Sequence, residues 1–368
     1  MSFITLINSL KGNNGIIWSV SWSLSGDFLI SIGSNSSIII WGPCENFFNR
    51  KIYTKKFSEI IYFKSWDKLH QLKFNKNLRT FRCLNKKINS NYFSISDFLS
   101  QTYLWEIIFL KSSKICLVEI KHILKGHLSE IKSCGFSPIE NLIATCGRDK
   151  SIWIWKNSFK KKIDCEFIFK ENKSDIKCIK WNPYGKELAA STYEGDIILI
   201  LFEKNKTILR IKFSNSVSWN FTFDGMGKEL IIGNGIGELI WMNLNLLSFS
   251  NFFKKEKKKE KIWQELLLLF FFNNESLQSL SNSNKNGFCL LGNSIGLINI
   301  VKIQKIIKQS KFSKYEFFLN NGSFFLKNFL LFSNLHLGKI NSIVWHPIFE
   351  NVLVSCGDDS QINIWRIN

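Results

Sequence analysis

One cadence recurs along this chain and limits what it can fold into. "WSVSWSLSGDFLISIGSNSSIIIWG" (18–42), "IKSCGFSPIENLIATCGRDKSIWIWK" (131–156) and "INSIVWHPIFENVLVSCGDDSQINIWRI" (340–367) each read as strand, tight turn, strand, tight turn, strand. "IKCIKWNPYGKELAASTYEGDIILILF" (176–202) and "SWNFTFDGMGKELIIGNGIGELIWM" (218–242) repeat the layout. Strands are called by alternating or continuous apolar runs, and turns by Gly, Pro, Asn and Asp between them. A unit of this size is a small sheet that cannot bury both of its faces alone, so the units must stack on one another.

Repeats of about 40–45 residues with this layout predict an all-β fold, a β-propeller of WD40 type. Two further units are worn: "LRTFRCLNKKINSNYFSISDFLSQTYLWEI" (78–107) and "SLQSLSNSNKNGFCLLGNSIGLINIVKI" (276–303). Counting both gives a seven-bladed propeller as a single domain over 1–368, with six or eight blades as the alternatives. The segment 44–77 reads as an irregular insertion ahead of blade 2, and the mostly basic run 252–262 as a solvated inter-blade loop. "LLLLFFF" (266–272) is far too short to span a bilayer and reads as a buried strand. The lone strand in "FITLINSLKG" is expected to pair into the last blade, whose final segment "INIWRIN" otherwise lacks an outer partner. That N-terminus makes a poor signal peptide, having no basic region before a long apolar one.

Polar residues recur at fixed places in the repeats. Asp149 stands six positions before Trp155, and Asp359 stands likewise before Trp365. The same offset puts Asp196 before Phe202. His127 precedes Phe136 as His336 precedes Trp345. WD40 repeats join such residues in a hydrogen-bonded tetrad, here His127, Thr145, Asp149 and Trp155, with His336, Ser355, Asp359 and Trp365 in the last blade. The indole N–H donates, and the carboxylate accepts and fixes the imidazole. Asn13 and Asn172 stand where His belongs, and Asn35 where Asp belongs. A His–Asp–Ser/Thr set also suits a catalytic triad, but a hydroxyl on a strand beside a buried Trp has no cleft or oxyanion hole. With no phosphate-cradling Gly loop either, the chain is read as no enzyme. "GNGIGELIW" (233–241) holds strand-turn glycines.

Composition settles less. Lys plus Arg number 49 against 29 Asp plus Glu, a formal charge of +20. That suits a polyanionic partner, but AT-rich codon usage explains abundant Lys, Asn, Ile and Phe equally well. The 9 cysteines are scattered, with no C-x-x-C pair, so no metal cage and no cofactor is read. Cys134, Cys146, Cys178 and Cys356 sit in apolar strand patterns as buried reduced thiols, which points to cytosol or nucleus.

The first four blades and the last, with "ATCGRDKSIWIW" as the most specific piece, resemble the WD-repeat subunit of the cytosolic iron–sulfur protein assembly (CIA) machinery. The resemblance implies a non-catalytic scaffold in a targeting complex with a small assembly factor and a large helical-repeat protein. That complex delivers 4Fe–4S clusters to cytosolic and nuclear apoproteins. It implies that Arg148, where the family carries a functionally important exposed Arg, is a partner-binding residue, with Lys150 beside it in the turn. It also implies a cytoplasmic monomer within a hetero-complex, with no membrane role. The charge motivates the alternative, a WD40 scaffold in RNA processing or ribosome biogenesis, although no aromatic-plus-basic RNA motif is found.

Overall fold

The computed structural model describes residues 4–12, 14–43, 63–64, 66–83, 92–109, 116–156, 163–170, 172–202, 207–244, 267–271, 275–283, 287–306, 323–332 and 335–367. Its strands form seven four-stranded antiparallel sheets. After β1 (Ile4–Leu10), the first blade is β2 (Ile17–Trp22), β3 (Leu29–Gly33), β4 (Ser37–Pro43) and β5 (Trp66–Lys73). The second is β6 (Leu78–Cys83), β7 (Tyr92–Asp97), β8 (Gln101–Phe109) and β9 (Cys116–Lys125). The third is β10 (Ile131–Phe136), β11 (Leu142–Gly147), β12 (Ile152–Lys156) and β13 (Asp164–Phe169). The fourth is β14 (Ile176–Trp181), β15 (Glu187–Thr192), β16 (Asp196–Leu201) and β17 (Thr207–Lys212). The fifth is β18 (Ser218–Phe223), β19 (Glu229–Asn234), β20 (Glu238–Asn243) and β21 (Leu267–Phe271). The sixth is β22 (Leu277–Asn282), β23 (Phe288–Asn293), β24 (Ile298–Ile306) and β25 (Ser323–Phe332). The last is β26 (Ile340–Trp345), β27 (Val352–Gly357) and β28 (Ile362–Ile367), with β1 as its outer strand.

Each first strand contacts the first strand of the next blade, and β26 contacts β2, so the seven sheets close into a ring. Seven apolar clusters hold it, one between each pair of neighbouring blades. Successive residues of an inner strand face opposite neighbours: Ile39 and Trp41 pack toward the last blade, Ile38 and Ile40 toward the second. A strand buried on both faces must be apolar at every position, which is why "SIIIW" runs without alternation. Each such side chain contributes about 1.5–3 kcal/mol on burial.

β1 pairs antiparallel with β28, from Ile4 opposite Ile367 to Leu10 opposite Ile362. Ile7 and Leu10 are buried in the cluster shared with the first blade. One stretch departs from its sequence reading. Within 44–77, expected to be irregular, Trp66–Lys73 is β5, the outer strand of the first blade, paired with β4. Its charged "DKLHQLK" hides the strand pattern because an outer strand keeps one edge and much of its surface in water. "LLLFF" at 267–271 is likewise an outer strand, β21. Residues 44–62 and 65 of the insertion, the basic run 252–262 and Asn13 lie outside the described residues.

Candidate functional site: the turns and axial mouth of one propeller end

The turn joining second to third strand has a common form in all seven blades. One residue in each has positive φ: Ser36, Ser100, Lys150, Gly195, Gly237, Gly296 and Ser360. These left-handed residues fix the equivalences between blades.

In the third blade the turn is locked by a continuous polar chain. Trp155 Nε1 donates to Thr145 Oγ1 at 2.9 Å, and Thr145 Oγ1 meets His127 Nε2 at 2.8 Å. His127 Nδ1 meets Asp149 Oδ2 at 2.8 Å. Asp149 also accepts the Leu128 N–H at 3.0 Å and the Ser151 hydroxyl at 2.7 Å. Ser151 in turn accepts Trp153 Nε1 at 2.9 Å. With its proton on Nδ1, His127 donates to the carboxylate and accepts from Thr145, so every atom of the chain is satisfied. Burial alone would push the Asp149 carboxyl up; the hydrogen bond from His127, then the Ser151 and Leu128 bonds, outweigh it and hold it at about 2. The last blade repeats the core of this network. Trp365 Nε1 donates to Ser355 Oγ at 2.7 Å, Ser355 meets His336 Nε2 at 2.7 Å, and His336 Nδ1 meets Asp359 at 2.8 Å. Thr145 and Ser355 are fully buried. Their hydroxyls are engaged by an indole and an imidazole, so this His–Asp–hydroxyl arrangement fastens a turn and offers no accessible nucleophile.

Elsewhere the fastening changes. Asp196 does not occupy the tetrad position. Aligned on Gly195, that place belongs to the exposed Glu194, while Asp196 sits where Ser151 does. The six-residue offset failed because Phe202 lies beyond the end of β16, so it is not the equivalent of Trp155. Asn172, at the histidine position, donates to the Lys150 carbonyl at 2.9 Å and accepts from Arg210 at 2.7 Å. Asn35 accepts the Ser37 N–H at 3.1 Å, and Trp41 Nε1 donates to Ser31 at 2.8 Å. In blades two, five and six the turn is held instead by the last residue of the second strand. Asp97, Asn234 and Asn293 each accept two turn N–H groups at 2.8–3.2 Å. The signal was an Asp or Asn where the third and last blades carry Gly147 and Gly357. Asx side chains hold turns in this way.

These turns leave side chains exposed at one end of the ring. Arg148 and Lys150 are exposed, and the Arg148 N–H donates to the Glu130 carbonyl at 2.8 Å. Leu128 and Leu337, which follow the two tetrad histidines, are 87% and 89% exposed. Phe98, Leu99, Tyr193, Ile236 and Ile295 are exposed in the equivalent turns of other blades. One end therefore carries a rim of apolar side chains with Arg148 among them. Single exposed apolar residues are ordinary, but a ring of them marks an interaction face.

Sequence reasoning missed the mouth of the axial channel on this same end. Every first strand opens with a bulge against its neighbour, between Ile17 and Ser19 in the first blade and likewise in the other six. The seven bulged residues are Trp18, Arg79, Lys132, Lys177, Trp219, Gln278 and Asn341. All line a cavity of about 130 Å³. A bulge redirects its side chain. The second residue of each first strand was the available signal, visible only once the blades are superposed. Among the described residues no cluster of three or more His, Cys, Asp or Glu is placed to hold a metal ion, and no helix is long and apolar enough to cross a membrane.

Ring closure, blade count and locked turns together define a WD40-repeat β-propeller, a fold that serves as a rigid platform for other molecules. Four segments match the family model "WD domain, G-beta repeat": residues 4–42, 118–156, 163–200 and 330–366. Each begins in the outer strand of one blade and continues through the three inner strands of the next. The chain is similar to "Probable cytosolic iron-sulfur protein assembly protein 1" of Botryotinia fuckeliana, 38% identical over 88 residues, 22% of this chain and 20% of that protein. A protein of the same name from Aspergillus niger is 60% identical over 35 residues, 10% of this chain and 8% of that protein. "WD repeat-containing protein AAC3" of Dictyostelium discoideum is 31% identical over 121 residues, 32% of this chain and 24% of that protein. The matches thus span about a fifth of the length of the first of these relatives.

Proposed function

We propose that this chain is a non-catalytic scaffold of the cytosolic iron–sulfur assembly machinery. Its role is to hold a small assembly factor, a helical-repeat protein and cluster-receiving apoproteins on one rigid ring in the cytoplasm. The names of the fungal relatives support the pathway and the compartment. The observation that carries the docking role is Arg148. It is exposed on a turn whose geometry the Asp149 network fixes from beneath, with Leu128 anchored to the same carboxylate and projecting beside it. A planar cation next to an exposed leucine, on backbone already rigid, loses little entropy on binding an acidic or mixed surface. The ring raises the effective concentration of the partners it holds. Lys150 contributes its left-handed backbone and an exposed ammonium.

Affinity purification of the tagged chain from its own cells tests this. Recovery of iron–sulfur assembly subunits is expected. Recovery of ribosomal or splicing proteins in their place, with RNA binding that falls steeply with salt, favours the alternative that the +20 charge motivates.

A further inference from the structure

The axial mouth carries its own chemistry, independent of which proteins dock on the rim. None of its seven bulged residues is aliphatic: they are two Trp, an Arg, two Lys, a Gln and an Asn. Arg79, Lys132 and Lys177 come from three consecutive blades, and Lys339, just before β26, joins them from the last. Three carboxylates stand nearby. Glu130 pairs with Lys132 and with Arg79 at 3.4 Å, Asp175 pairs with Lys177 at 3.4 Å, and Asp358 accepts from the Asn341 amide at 2.7 Å. Lys339 has no carboxylate at ion-pair distance among the described residues. Its ammonium lies over the Trp219 ring at 5.4 Å, and Lys177 shares that ring at 5.7 Å. Arg79 is stacked over Trp18 at 4.5 Å.

The cations oppose one another across the opening. Burial lowers the Lys339 ammonium, and the charge of Arg79 lowers it further, against the pull of Asp358. Burial also lowers Lys132, with Arg79 and Lys177 adding to the effect while Glu130 opposes it. Mutually repelling, partly desolvated ammonium groups around one axis are relieved by an anion on that axis. The geometry also selects the anion. Arg79 is engaged by Glu130 and covered by an indole; Lys132 and Lys177 are paired too, with Glu130 and Asp175, but an ammonium has three donors and keeps others for a ligand, as do Lys339 and the amides of Gln278 and Asn341. Lysine meets phosphate as a point charge. A single carboxylate offers two oxygens to this set of donors, whereas linked phosphate groups offer many charged oxygens to it.

We propose that the axial mouth binds a compact polyphosphate, two or more linked phosphate groups, held by Lys132, Lys177 and Lys339 with Gln278 and Asn341. Titration calorimetry of the full chain with inorganic pyrophosphate, tripolyphosphate, orthophosphate and a glutamate-rich peptide tests this. One saturable site is expected, with pyrophosphate and tripolyphosphate at least about tenfold tighter than orthophosphate and weakening steeply as salt rises. Lys339→Gln and, separately, Lys177→Gln should each weaken pyrophosphate at least about tenfold, while Lys228→Gln, exposed in the turn between β18 and β19, leaves it unchanged. Pyrophosphate should raise the melting temperature of the wild type and not that of the Lys177→Gln/Lys339→Gln double variant. No saturable binding, equal affinity for orthophosphate, indifference to both lysine variants, or binding of the peptide in preference to pyrophosphate would each overturn the proposal.

Discussion

Thr145 joins the buried indole of Trp155 to His127, so its hydroxyl is the sensitive point of the third blade. Thr145→Val keeps the shape and leaves an indole N–H and an imidazole nitrogen unpaired. A loss of about 2–3 kcal/mol is expected by denaturant titration. Asp196→Ala should cost under about 1 kcal/mol, because that carboxylate meets Arg210 at a loose 4.0 Å and the charges of Lys212 and Lys173 from further off, against the pull of burial. Equal losses would mean the tetrad is misassigned. A second residue sets the acid limit. His346 accepts the N–H groups of Ile348 and Phe349 at 3.1 and 3.0 Å and meets the Gly26 carbonyl of the first blade at 3.3 Å. Burial among Trp22, Phe63 and Phe349 lowers it to about 4, against the hydrogen bond to Gly26. Because the folded value lies below the ordinary 6.5, the unfolded chain binds the extra proton between these limits. Stability is therefore full above about pH 6.5 and falls by on the order of 3 kcal/mol as pH drops to about 4. Asn182 makes the equivalent latch in the fourth blade, donating to the Gly227 carbonyl at 2.8 Å. His346→Asn should thus keep the latch and flatten the melting temperature between pH 6.5 and 4; an unchanged slope would exclude His346 as its source.

At the scale of elements, the sequence made inner strands easy to find and outer strands hard. β4, buried on both faces, announces itself as "IIIW", and the tight turns announce themselves by Gly, Asn and Asp. β5 reads as polar because much of it faces water. The two intact tetrads were legible because both histidines and both aspartates survive. The turns held by Asp97, Asn234 and Asn293 were not, since an Asx residue two places from its expected position looks like ordinary turn composition. β1 is the outer strand of the last blade and packs into the cluster that blade shares with the first. Removing residues 1–10 exposes the edge of β28 and unburies Ile7 and Leu10. That is worth roughly 3–6 kcal/mol from the side chains alone. The truncated chain should melt at least about 5 °C lower. An unchanged melting temperature would show that the ring closes without its strand clasp.

For the whole molecule, the ring supplies rigidity and one end supplies the chemistry: an apolar rim, an exposed guanidinium and a cationic mouth. Neither the rim nor the mouth follows from any single repeat, because each gathers one position from many blades. The charge of +20 foreshadowed cations but not their convergence on the axis. The most direct test of the scaffold reading is the dissociation constant between the purified chain and the small subunit of the iron–sulfur assembly machinery, measured for the wild type and for Arg148→Glu. Among the described residues Arg148 makes no side-chain contribution to the turn network, so the variant should melt as the wild type does while binding at least about 30-fold more weakly, a loss of about 2 kcal/mol. Full affinity in a folded Arg148→Glu variant would contradict the account.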